Sequence, residues 1–217
     1  MSQILTLAGI STLQTLEMVL FSTLFSMVIG FPLGVLLYST NSMGITPRPI
    51  LNQVLSRIVN VLRSFPFIIL MILLFPLSRL ILGTSIGTTA TIIPLSIAAA
   101  PFVARLVETA LLEVDPGMIQ AARAMGSTNS QIIYKVLIPE SMPSLVSGIT
   151  LTIINLIGYS AMAGTIGGGG LGDLAIRYGY QRFRPDVMAA SVVVIIVMVE
   201  VIQFIGTRIA NRMLANR

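Results

Sequence analysis

The hydrophobic residues of this chain fall into five blocks separated by short polar intervals. Blocks at about 13–38, 58–77, 89–107, 145–165 and 187–206 each come close to the roughly 20 apolar residues that a helix needs to cross a bilayer. The pattern predicts an all-α integral membrane protein with five transmembrane helices, formed as a single domain over residues 1–217. Each block carries its own marks. Gly30 and Gly34 form a G-x-x-x-G pair around Pro32, which reads either as a close-packing face or as a softened helix end. Residues 39–53 hold Asn, Gly and two prolines and read as a loop. The second block opens with the string RSFPF; its Arg63 either snorkels to the cytoplasmic interface or contacts a loop or a docked partner. Pro94, Pro101 and Ala98-Ala99-Ala100 make the third block kinked and small-faced, suited to packing against other helices. Arg105 and Glu108 have i,i+3 spacing and are placed to pair near its end.

The fourth block is unlike a lipid-facing helix. Ser147, Gly148, Thr152, Asn155, Gly158, Ser160, Ala161 and Gly164 make it polar and small, which places it inside the bundle. Singly, these residues let helices approach; as a set, with Asn155 and the hydroxyls, they equally suit the lining of a solute path. In the last block Glu200 is a functional candidate, or a carboxylate bonded to a neighbouring helix or set near the interface. The segment 164–172 reads GTIGGGGLG. Its G-x-G-x-x-G match lacks the preceding strand of a nucleotide site, so it reads as a flexible turn or gate-supporting loop. Residues 171–186 then read as an external loop.

The longest polar interval, 115–139, is itself patterned. Asp115 can cap a helix with Pro116 at its first position. Met118, Ala121, Ala122 and Met125 share a helical face, and Gly126 sits where the helix would end. Thr128 and Gln131 have capping-box spacing for a second short helix, with an apolar stripe of Ile132, Ile133, Val136 and Leu137, closed by Pro139. A folded unit between spans is either a docking site or a helix pair resting on lipid headgroups.

Composition narrows the chemistry. Hydrophobic residues make up 55% of the chain and charged ones 10%, with no cysteine and no histidine. Disulfides, Cys/His metal sites and a histidine base are excluded, and no cofactor motif is present. The net charge of +5 comes from scattered basic residues, which fits loops obeying the positive-inside rule rather than nucleic acid. The first basic residue is Arg48, so no secretory signal is expected. With the N-terminus outside and the C-terminus inside, nine basic residues lie on inner segments and four on outer ones. The 115–139 unit is then cytoplasmic. No phosphate loop G-x-x-x-x-G-K-[ST] occurs, so ATP chemistry would need another subunit.

Residues Gln120, Ala121, Ala122, Gly126, Val136, Ile138 and Pro139 match the loop pattern E-A-A-x-x-x-G, nine residues, I-x-L-P of ATP-binding-cassette importer permeases. Gln120 replaces the glutamate, Val136 the isoleucine and Ile138 the leucine. The strings RSFPFIIL, GTSIG, AAPFVARLVE, QAARAMG and GYSAMAGTIGGGGLGDLAIRYGY resemble, more narrowly, the permeases of methionine-uptake importers. The resemblance implies a homodimer in the cytoplasmic membrane, cytoplasmic ATPase subunits and an external substrate-binding protein. Gln120 to Gly126, with Arg123 and Met125, would dock in the ATPase. Tyr159, Ser160 and Met162 would lie at the dimer interface on the translocation pathway, with Ser147 and Asn155 from the lining set. Gly164 to Gly172 would border the external mouth. The rival readings are the same importer class for another small amino acid, a membrane enzyme, against which stands the lack of His, Cys and a clustered acidic pair, and an ion-coupled secondary transporter. The last wants paired midplane acids and inverted repeats, which the sequence does not display.

Overall fold

The computed structural model describes residues 2–215, nearly all of them helical. Helix α1 (Ser2–Thr40) runs unbroken for 39 residues, roughly 58 Å at the usual rise. It starts well before the expected 13–38 span because no proline precedes Leu13. Its glycine pair is a close-packing face. A methyl group at Gly30 would stand 2.6 Å from the carbonyl oxygen of Ala100, and one at Gly34 2.5 Å from that of Ala104. Both partners belong to α4 (Thr88–Leu112), whose small residues let the two backbones meet.

The second expected span is corrected. It is not one helix over 58–77, nor is 39–53 all loop. Helix α2 (Pro49–Ser64) and helix α3 (Phe67–Leu82) meet at a 102° bend. Pro49 starts α2 where a missing N–H costs nothing. Pro66 then forces Phe65 into an extended backbone (φ −68°, ψ 131°), which ends the helix. Only Val59 of α2 is buried, against Leu37 and Ala104.

Helices α5 (Pro116–Ala124) and α6 (Asn129–Ile132) follow. A π-helical turn, Ile133–Leu137, joins α6 to α7 (Ile138–Gly164), giving one continuous helix over Asn129–Gly164. Helix α8 (Gly170–Asp173) and a second π-helical stretch (Leu174–Tyr180) lead into α9 (Pro185–Ala215). The expected external loop 171–186 is thus largely helix, and packed: Leu171, Asp173, Leu174 and Ala175 are buried, with Asp173 paired to Arg177. Nor is the glycine run flexible. A methyl at Gly164 would collide with the backbone of Asp173, and one at Gly172 with that of Ala161. The glycines are there because two chain segments touch.

Among the described residues, four helices are long and apolar enough to cross a membrane, and the bent α2–α3 pair makes up to five. Helix α4 is the axis. Its C-terminal half shares a core with Tyr38, Ala122, Ile132 and Leu137; its N-terminal half packs with Met18, Phe67, Leu156 and Ala163. Helix α9 lies outermost, and Glu200 is exposed on it rather than buried among helices.

Candidate functional site: a docking unit fused to a bare helix face

The interval after α4 folds around its caps. Asp115 accepts a bond from the Gly117 N–H at 2.6 Å. Helix α5 ends at Gly126, whose φ of 81° lies in the left-handed region. The Ser127 N–H reaches back to the Ala122 carbonyl at 3.1 Å. Thr128 and Gln131 form the reciprocal box: the Thr128 N–H donates to Gln131 Oε1 at 2.8 Å, and the Gln131 N–H to Thr128 Oγ1 at 3.3 Å. Pro139 does not close the unit, as the sequence suggested. A proline inside a helix clashes with the carbonyl four residues earlier. Here the ladder widens just before it, with the Ile138 N–H donating to the Ile133 carbonyl, and the helix continues.

Two sides of α5 differ. Ala122 is 3% exposed and packs in the core around the C-terminal half of α4, while Arg123 donates through Nη2 to the Ile45 carbonyl at 3.1 Å. Gln120, Ala121 and Met125 face outward, Met125 at 80% exposure. Met118, Ala121 and Met125 thus leave a bare apolar strip on an anchored helix. The contact of Arg123 with its own chain was not legible in the sequence, since nothing in the loop marks Ile45 as its acceptor. Both flanks are tied down. Ser144 of α7 donates to Glu113, just past the end of α4. Arg105 and the 3%-exposed Glu108 pair at 2.6 Å, as their spacing predicted, and Arg105 also donates to Asn60 of α2 at 2.9 Å.

The second part of the site is α7. Gly148 lies against Leu106 of α4, Gly206 of α9 crosses at Thr150, and Tyr159 stacks on Phe67 of α3 at 4.6 Å and 6°. The remaining stripe carries Ser147, Leu151, Gly158 and Met162, which are exposed, with Asn155 half-buried among them. Tyr159 is half-buried at its edge. Ser160 stands off this stripe: it is buried and donates to the Ile157 carbonyl at 2.8 Å.

An exposed amphipathic helix, α5, held against the bundle and followed by one continuous helix, Asn129–Gly164, that runs through the membrane bundle is the arrangement of a multi-span membrane transport subunit. The family model for the inner membrane component of binding-protein-dependent transport systems matches residues 30–215, and the chain belongs to that family. It is 50% identical over 202 residues to a probable D-methionine transport system permease protein, MetI, of Vibrio cholerae, spanning 93% of this chain and 90% of that one. It is 50% identical over 176 residues to the methionine import system permease protein MetP of Bacillus subtilis, spanning 81% and 79%. A solved inward-facing conformation of the MetNI methionine ABC transporter superposes with a TM-score of 0.96 at 46% identity, covering 98% of this chain and 99% of that one.

Proposed function

We propose that the chain is the membrane-spanning permease of an ATP-driven methionine importer in the cytoplasmic membrane, with its N-terminus outside and C-terminus inside. It carries no phosphate loop of its own, so ATP is hydrolysed by separate cytoplasmic subunits. Two copies face each other across the bare stripe of α7, which completes the wall of the path. An external binding protein delivers the substrate. D-methionine and methionine are the substrates named for relatives at about half identity over 93% and 81% of the chain.

The observation that carries the reading is the unbroken helix Asn129–Gly164. Its first turn belongs to the docking unit and its last turns to the path. When ATP draws the two ATPase subunits together, α5 moves with its subunit, and α7 moves as one body with the unit. Moving such an equilibrium from 1:99 to 99:1 takes about 5.5 kcal/mol of differential binding, within reach of nucleotide held between subunits. A path of Ser, Asn, Gly and Met side chains has no ring of like charge and suits a small neutral or zwitterionic solute. Uptake of radiolabelled methionine is the test, in vesicles whose proton gradient has been collapsed. ATP-dependent uptake is expected. Uptake that ceases with the gradient and ignores ATP would make the chain an ion-coupled carrier instead.

A further inference from the structure

The break between α2 and α3 leaves Arg63 in an unusual place. Its guanidinium carbon lies 5.8 Å from the centre of the Phe102 ring. None of the ion pairs among the described residues includes it. Beside it is a cleft of about 220 Å³ lined by Leu62, Arg63, Phe67, Ala98, Phe102 and Tyr159. Ala98 and Phe102 flank the midpoint of α4 (Thr88–Leu112), so the cleft sits at the middle of the bundle's height. Tyr159 is one helical turn from Asn155, so the cleft adjoins the bare stripe of α7.

Arg63 is exposed at the mouth of this mid-height cleft, and with no carboxylate partner its guanidinium is free to meet a ligand there. Its planar fork matches a carboxylate with two parallel hydrogen bonds. The same cleft is lined by the stacked Phe67–Tyr159 pair, a surface suited to an aliphatic or thioether side chain. The volume, 220 Å³, falls below the roughly 300 Å³ at which pockets for drug-sized ligands begin, so only a small solute fits.

We propose that this cleft is the substrate's resting place within the membrane, where Arg63 grips the α-carboxylate of a free amino acid and the Phe67–Tyr159 stack receives its side chain. The proposal rests on the importer reading. It makes Arg63 a binding residue rather than an interfacial anchor. The 102° break is then what brings a cation from an amphipathic helix to the path.

The chain has no cysteine, so Ala98→Cys gives a single thiol in the cleft. The complete transporter carrying it is purified in detergent, and labelling of this chain by a thiol reagent is timed with and without millimolar methionine. Methionine is expected to slow labelling, methioninol, which lacks the carboxylate, to leave it unchanged, and Arg63→Gln added to Ala98→Cys to abolish the protection. In cells lacking their own methionine importers, Arg63→Gln alone should lower uptake about tenfold or more, the loss expected for a hydrogen bond to a charged group, while the complex still assembles and hydrolyses ATP. Arg63→Lys should fall between the two. A transporter that takes up methionine yet gives no protection at Ala98→Cys, equal protection by methioninol, or slow labelling that methionine does not alter (as when a lipid headgroup fills the cleft) would each overturn the proposal. Failure of the unmodified transporter to take up methionine at all would instead count against the importer reading.

Discussion

Arg123 of α5 donates to the backbone carbonyl of Ile45 at 3.1 Å, so the helix proposed to meet the ATPase also holds the 41–48 loop. The bond joins α5 to the chain just past the end of α1. Together with buried Ala122 it makes the docking unit part of the bundle rather than an appendage. Arg123→Ala should remove about 1 kcal/mol of local stability. The complex should still form through Ala121 and Met125, but transport per ATP hydrolysed should fall. The ratio of uptake to phosphate release measures this, and an unchanged ratio would mean the bond does not serve coupling.

The glycine pair of α1 gives a prediction about packing alone. Gly34→Ala places a methyl 2.5 Å from the Ala104 carbonyl and against Val107, and it should cost about 1–3 kcal/mol as overpacking. Gly9 has open space within 4 Å, so Gly9→Ala should be neutral or stabilising. Thermal unfolding in detergent compares the two. Equal midpoints would remove the close α1–α4 contact from the account.

Glu108 is buried with its carboxylate on Arg105, and Arg105 reaches Asn60. Glu108→Gln keeps the shape and removes the charge, leaving Arg105 without its counter-ion. Because that guanidinium remains partly exposed, the cost should stay near about 1–3 kcal/mol rather than the larger figure for a sealed pair. Hydrogen exchange should quicken in α2 near Asn60. Exchange unchanged there would show that the pair does not hold α2.

Thr128→Ala removes half of the capping box and should cost about 1 kcal/mol at the start of α6. The helix that frays is the one that continues into α7, so uptake should fall while ATPase binding through α5 persists. Loss of binding and uptake together would place docking on α6 instead.

Much of this was legible in the sequence because it depends on local rules. Asp115, Gly126 and the Thr128–Gln131 box are spaced as caps, and they cap. Arg105 and Glu108 are spaced as a pair, and they pair. What was illegible depends on distant contacts. Pro66 announces a break, but the 102° turn also reflects Phe67 packing on Tyr159, far along the chain. Pro139 signals a stop, and a π-turn overrides it. The glycine run near 164–172 reads as freedom by composition, yet its glycines are confined by backbones that only the fold brings together. Of the expected path residues, Ser147, Asn155 and Met162 share the bare face with Tyr159 at its edge, whereas Ser160 turns inward, a distinction that helical phase sets and residue type does not.

The central claim is that α5 is the seat of an ATPase subunit. The most direct measurement is purification of the tagged chain from membranes and identification of what accompanies it. The account predicts two copies of this chain with a stoichiometric nucleotide-hydrolysing subunit, and loss of that subunit, but not of the pair, in Ala121→Glu, which puts a charge on the bare strip. A chain that purifies alone as a stable monomer, or that keeps its ATPase when Ala121 carries a glutamate, would contradict it.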